Sequence, residues 1–591
     1  MPSEKDRSNI ALSKGRRRPI NPKSVNFKRF STMFFPKSWL TALLVQLSFN
    51  LWGQTYPSGP QVVSFQSSVD DIEQPYGLYL PSGFQEKKAY PLVVMLHGAG
   101  SNHRLAMRRV FGKSNQNGET DVEASQYFPN WKDVPFIVVS PYARGTMGYQ
   151  GVAEKDVLDV LEDVKKRFKI DTNRMYLTGL SMGGGGTLWL GLSKPDLWAA
   201  MAPVCPAAPE GASALAGNSY QMPIRICHGE ADPVVKADSV RAWVKRLQDA
   251  GAKLEYEEYP GVLHDSWVQA YDQGRVFDWF AQHRRNPFPE KVVFSTATLR
   301  HGKSFWLEVL SKEAGVLAKV TAHFQEKNKL SISTNSVNRL RLDLNKHPLF
   351  NRKKPVQLTV DDQVLISSGT AEIVLEKENN SWSVVVNAAP TTPLRKKAYL
   401  EGPISDALSS RHIYVYGTAD NPDEATLEQR KLAAQKAADW SFYRGEFLGR
   451  IMVFPRVLRD QDLRESDYAS SNLILLGDAQ TNRVIAQIAP FALAPTRADL
   501  GLAYVFPNKE HYILVNAGLS LMEAPEPAGV FLSGLSRYTT PPFLLKSKLF
   551  KDLVVFSKER VLVNTYFDEY WELNAAQKQE LKALSVEEVV R

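Results

Sequence analysis

The stretch Met175-Tyr-Leu-Thr-Gly-Leu-Ser-Met-Gly-Gly-Gly-Gly-Thr-Leu-Trp-Leu-Gly-Leu192 decides how this chain is read. Its first four residues are a short apolar run suited to a buried strand, and the glycines from Gly184 open a helical stretch. Between the two lies Gly179-Leu-Ser-Met-Gly183, a G-x-S-x-G sequence. The pentamer alone is a modest signal in a chain with 36 glycines. Set between a strand and a helix, it meets the needs of a tight turn that exposes a serine hydroxyl. Gly179 and Gly183 would let neighbouring backbone approach without a Cβ clash, and the helix N-terminus would favour negative charge beside Ser181. A plain turn serine is the alternative, and the context favours a nucleophile.

Strand-like and helical runs alternate on both sides of this turn, from about residue 62 to 288. Residues 92–96, 136–140, 175–178 and 224–227 are short and apolar, as expected of strands buried on both faces of a parallel sheet. Within 153–169, Val157, Val160, Leu161, Val164 and Phe168 recur at helical spacing, with charges on the opposite side. The alternation predicts an α/β fold. Residues 101–131 are polar and read as irregular, suited to a lid or substrate rim.

A serine hydroxyl is a weak nucleophile and needs a base. Around such a turn the partners follow in the order Ser, Asp or Glu, His. Asp232, just after the predicted strand 224–227, is the expected orienter of the imidazole, ahead of Glu230. His264, in the loop Tyr259-Pro-Gly-Val-Leu-His264 before a helical stretch, is the expected base. His228 reads as a structural residue at a strand end and Asp265 as a helix cap. The oxyanion would need backbone donors. These are expected from Met182, next to the nucleophile, and from Ala99 or Gly100 in the loop after strand 92–96. Tyr142, Tyr149 and Trp267 are candidate substrate-contacting aromatics, while Trp189 reads as core.

Residues 91–280 resemble the esterase and "predicted peptidase" branch of the α/β-hydrolases. That branch overlaps prolyl-oligopeptidase-type catalytic domains and enzymes similar to feruloyl esterases and polyhydroxybutyrate depolymerases. The match is carried by Leu96-His-Gly-Ala-Gly100, by Asp171-Thr-Asn-Arg174 running into the serine turn, and by Pro195-Asp-Leu-Trp198. His228-Gly-Glu-Ala-Asp232 and the His264 loop extend it. Leu180 stands where such proteins often carry His, and Leu263 where Gly is common. The resemblance implies a serine hydrolase with a Ser181–Asp232–His264 triad and an acyl-enzyme, without cofactor or metal.

The whole chain has 591 residues, which predicts three or four domains. Residues 1–38 carry ten Lys and Arg against two acids, so the net charge of +9 sits almost entirely in the leader and calls for no nucleic-acid partner. The uncharged run 39–52 follows, then Gly53. This is the order of a secretory signal, with Met33 as the suspected true start and cleavage near Gly53. No apolar run is long enough for a membrane span. Cys205 and Cys227 are too few for a disulfide scaffold or a zinc site, and two buried thiols are expected.

The expected organisation is a leader (1–54), an α/β-hydrolase domain (55–287), a small all-β module (288–395) and a second, smaller α/β domain (396–591). In the last, 451–454 is expected as a strand and 424–442 as a helix. Residues 477–482 follow a strand and lack a dinucleotide fingerprint, so no cofactor is assigned. The triad chemistry does not separate esters from amides. About 35 residues between Gly53 and Pro91 leave no room for a gating propeller. That favours a secreted or periplasmic esterase acting on carbohydrate- or polymer-linked esters, with a peptidase as the alternative and an inactive binding protein third.

Overall fold

Every residue of the run Tyr-Pro-Leu-Val-Val-Met-Leu at 90–96 is buried in the computed structural model. A strand without a polar face must be covered on both sides, which is the environment of a central parallel strand. The structure describes residues 56–385, 394–443, 449–491, 493–530, 532 and 534–588. The expected leader, with its Met33 start and Gly53 cleavage point, lies outside the described residues.

The first sheet has eight strands: β1 (Gly59–Gln66), β2 (Glu73–Leu80), β3 (Tyr90–Leu96), β4 (Ile137–Pro141), β5 (Ile170–Leu180), β6 (Ala200–Val204), β7 (Pro223–Gly229) and β8 (Lys253–Tyr259). Their spatial order is β1-β2-β4-β3-β5-β6-β7-β8. β1 and β2 pair antiparallel, β2 runs antiparallel to β4, and β3 to β8 are parallel. The crossovers carry α1 (His103–Val110), α2 (Val152–Arg167), α3 (Met182–Ser193) and α4 (Ala237–Asp249). Val157, Val160, Leu161 and Val164 of α2 are buried, as their spacing requires.

Residues 101–131 are more ordered than their polarity suggests. Asn102 caps α1 by accepting from the Arg104 and Leu105 amides, and Thr120 with Glu123 forms a capping box on a further helical turn. Both are local cap signals that outweigh mean polarity.

Residues 291–385 build two five-stranded sheets. One runs Gln363–Ser367, Val356–Val360, Lys329–Asn335, Ala318–Glu326, Lys291–Thr296 in spatial order, and the other Lys303–Ser304, Leu307–Lys312, Val337–Asp343, Glu372–Glu378, Ser381–Val385. Alternate residues of both sheets, including Phe294, Val320, Leu330, Leu340, Leu358 and Leu375, meet in one core. A seven-stranded mixed sheet follows, with Arg456–Arg459, His412–Tyr416, Asn472–Leu476 and His511–Gly518 parallel and three antiparallel strands beside them. Pro57–Arg591 form one compact unit. No described helix is long and apolar enough to cross a membrane.

Two expected elements in this last region differ. The helix from Glu424 ends at Ala437, because Trp440 turns into the core and donates its indole N–H to the Tyr414 hydroxyl. Of the expected strand 451–454, only Ile451 belongs to a strand, the two-residue Arg450–Ile451. The strand of the large sheet begins at Arg456, just past Pro455, which cannot donate to a ladder.

His412 at the start of its strand is fully buried against Tyr414 and Trp440, and burial pushes its pKa down to about 4. The unfolded chain therefore takes up this proton first as pH falls below about 6.5. Stability present above that pH should decline between about 6.5 and 4, by roughly 3 kcal/mol for this one group. Chemical denaturation at pH 7, 5.5 and 4 should show a shallower decline for His412→Asn than for the parent chain.

Candidate active site

β5 ends at Leu180, and the chain then reverses into α3 through Ser181 at φ 55° and ψ −117°. That conformation is costly for a residue with a Cβ, on the order of 1–3 kcal/mol. Three backbone hydrogen bonds hold it. The Ser181 amide donates to Val204 O at 3.0 Å, and Ser181 O accepts from Gly185 at 3.0 Å and Ala207 at 3.1 Å. At about 1 kcal/mol net apiece, these bonds offset the strain.

Glycines make the turn possible by close approach. A Cβ on Gly183 would lie 2.2 Å from Leu96 O, and one on Gly185 1.8 Å from Ala207 O. Helix propensity alone favours Ala over Gly by about 1 kcal/mol. The clash with backbone wins, so Gly185→Ala should destabilise the fold despite its better propensity, measurable as a lowered thermal midpoint.

The carboxyl ends of the parallel strands bring three side chains into line. His264 Nε2 lies 2.9 Å from Ser181 Oγ, and His264 Nδ1 lies 2.8 Å from Asp232 Oδ2. Asp232 has a fully buried side chain, and its other oxygen accepts from the Val234 and Val235 amides at 2.8 and 2.9 Å. These amides fix the carboxylate without using the oxygen that faces His264. Ser181 is partly exposed and the His264 side chain retains 22% of its surface, so a substrate can reach both. Glu230 is exposed and accepts from the Gly261 amide instead, bracing the histidine loop. His228 is buried with Nδ1 4.0 Å from Asp232, outside hydrogen-bond distance. The helical turn after His264 starts at Ser266 without a side-chain cap, so Asp265 does not cap it.

The Met182 amide is the first of α3, where a helix offers unpaired donors. The loop after β3 carries the other candidates. The Gly100 N–H donates to Thr146 Oγ1 at 2.9 Å and is thus engaged, which leaves Ala99 as the better donor of the pair. His97 is buried, with its two ring nitrogens 2.8 Å from Gly98 O and Tyr142 O. Burial holds its pKa below the usual imidazole range.

Residues 71–273 match the family described as putative esterase. The match spans the strands and loops that carry Ser181, Asp232 and His264. The chain is 28% identical over 207 residues to the bifunctional acetylxylan esterase/xylanase XynS20E of Neocallimastix patriciarum, covering 32% of this chain and 27% of that protein. It is also 27% identical over 124 residues to dipeptidyl-peptidase 5 of Trichophyton equinum, covering 19% of this chain and 15% of the other. The chain thus spans about a quarter or less of the length of these curated relatives. Among solved structures, a thermostable esterase is 28% identical with a TM-score of 0.32, covering 38% of this chain and 63% of that one.

Two of the three expected pocket aromatics have other surroundings. Tyr149 is buried, with its hydroxyl on His97 O at 3.0 Å and its ring over Gly186, so it supports the loop from behind. Tyr142 stacks on His97, and its hydroxyl faces the Met452 sulfur at 3.9 Å. Trp267 is half-buried and stands edge-on to the His264 ring at 5.7 Å. Trp189, expected in the core, is only partly buried and donates to Glu154 at 2.8 Å beside His301. Cys205 and Cys227 are free and buried, and burial pushes the Cys205 thiol up to about 12, which leaves it inert. Thr146 and Arg144 carry no local signal in the sequence, because their partners Gly100 and Met452 lie far along the chain, whereas the Val234 and Val235 amides reach Asp232 from two and three residues away. Among the described residues no cluster suits a metal ion.

Proposed function

We propose that the hydrolase domain cleaves carboxylic esters through Ser181, His264 and Asp232. The observation that carries this reading is the hydrogen-bonded line from Ser181 Oγ through His264 to Asp232, lying inside a segment that matches an esterase family. His264 Nε2 takes the Ser181 proton as Oγ attacks the ester carbonyl carbon. Asp232 holds the imidazole in the tautomer with Nδ1–H and stabilises the imidazolium that forms. The oxyanion is received by the Met182 and Ala99 amides. His264 then returns the proton to the departing alcohol, leaving an acyl group on Ser181. Water then gives a proton to His264 as its oxygen attacks the acyl carbon, and His264 passes that proton to Ser181 Oγ as the acyl–oxygen bond breaks and the acid leaves. Trp267, beside His264 where the alcohol leaves, is assigned to contact the leaving group.

The remaining assignments belong to the same proposal. The chain divides into a hydrolase domain (55–287), a β-rich module (288–395) and a C-terminal α/β domain (396–591), and residues 1–54 export it. The substrates are carbohydrate- or polymer-linked esters, a class that the acetylxylan esterase relative supports. Similarity to dipeptidyl-peptidase 5 keeps a peptidase as the second reading.

A panel of acetyl and feruloyl esters against a proline-linked amide, run on the purified chain, separates the two. The expected result is ester turnover well above amide turnover. Faster cleavage of the amide would replace the esterase reading with the peptidase one.

A further inference from the structure

The turn after β4 takes an unusual path. Ala143, Arg144 and Gly145 are left-handed in succession, at φ 46°, 66° and 80°. Two of them carry a Cβ, so this turn does not hold itself and must be fixed by its surroundings. The same turn grips the loop of the candidate oxyanion donor at three places. Tyr142 O meets His97 Nε2 at 2.8 Å, Thr146 Oγ1 accepts from the Gly100 amide at 2.9 Å, and the Tyr149 hydroxyl donates to His97 O at 3.0 Å.

What fixes the turn comes largely from more than 300 residues further along the chain. Gly145 forms an isolated antiparallel bridge with Ile451. The Met452 amide donates to Arg144 O at 3.3 Å, and Arg144 Nη1 donates back to Met452 O at 3.2 Å. The Arg144 side chain is wholly buried, ion-paired with Asp70 and Asp156 at 2.5 Å each. Asp70 also accepts from the Phe454 amide at 3.1 Å, and neighbouring Asp71 is held by both terminal nitrogens of Arg411 at 2.6 Å. The fit is close: a Cβ on Gly145 would lie 2.2 Å from Arg450 O.

We propose that residues 450–454 are a positioning element for the hydrolase site, holding the 142–146 turn so that Thr146 sets the oxyanion loop in register. In this reading the strand expected at 451–454 is diverted from its own sheet to brace the active site. The C-terminal region is then part of the catalytic apparatus. The inference rests on Ala99 and Met182 being the oxyanion donors.

Two variants test it at opposite ends of the chain of contacts. Thr146→Val removes the acceptor for Gly100 in nearly the same volume, and Thr146→Ser restores it. Gly145→Ala pushes Arg450 away from the turn. With p-nitrophenyl acetate, Thr146→Val and Gly145→Ala should each lower kcat by roughly 10- to 100-fold, since a small misplacement of donors carries such a penalty. KM should stay within about threefold, and Thr146→Ser should recover most of the rate. Amide exchange across residues 97–101 should quicken in both impaired variants, independently of any substrate. If both keep kcat within threefold, with exchange at 97–101 unchanged, the proposal is overturned. If the parent chain turns over no ester while exchange still quickens, the esterase reading fails and the mechanical link stands.

Discussion

Replacing Ser181 with alanine should reduce ester turnover by roughly 10⁵- to 10⁶-fold while leaving the chain folded. The size follows from the mechanism. Without Oγ no acyl-enzyme forms, and His264 and Asp232 have no proton to move, so the three groups lose their function together and not by thirds. What remains is the contribution of the oxyanion donors to direct attack by water. The backbone of this site should tolerate the change, because an alanine there would keep the same three hydrogen bonds with Val204, Gly185 and Ala207. Ser181→Gly makes a sharper structural control. Glycine adopts φ 55° without steric cost, so this variant should be as inactive as alanine yet melt at a higher temperature than alanine. Turnover that survives in either variant would remove Ser181 from its role.

Asp232→Asn should lower kcat by about 10⁴-fold with little change in KM. Asparagine preserves the shape of the side chain, and its oxygen can still accept from the Val234 and Val235 amides. Its NH₂ group would then face His264 Nδ1, where a donor forces the ring into the tautomer that cannot accept the Ser181 proton. The loss is therefore one of proton placement and not of folding. Two readouts separate these. Thermal midpoint should move little, and labelling of Ser181 by a fluorophosphonate should slow with the turnover. If Asp232→Asn keeps full rate while Glu230→Gln loses it, the orienting carboxylate is Glu230. The structure argues against that outcome, since Glu230 is exposed and its carboxylate is engaged by the Gly261 amide.

Much of this protein is written locally. The wholly apolar run at 90–96 and the helical period of 157–164 suffice to predict a parallel sheet with crossover helices, because burial on both faces leaves no polar position to vary. The G-x-S-x-G turn is equally legible, since only glycine at 179 and 183 admits backbone so near. Chain order then points to Asp232 and His264, although nothing local in 232 or 264 announces that the two side chains meet. Local signals failed where tertiary contacts overrode them. Trp440 ends a helix early because its indole fits the core beside Tyr414, and residues 451–452 forgo the large sheet to pair with 144–145. Tyr142 and Tyr149, polar aromatics close to the motif, suit a pocket by type but turn away from it, toward Met452 and His97. The sequence by itself determined the sheet, the nucleophile turn and the order of its partners, because periodicity and steric exclusion act over a few residues. Only the tertiary structure decided which loops brace the site, because a hydrogen bond between Gly100 and Thr146, or between Arg144 and Met452, depends on where distant segments come to rest.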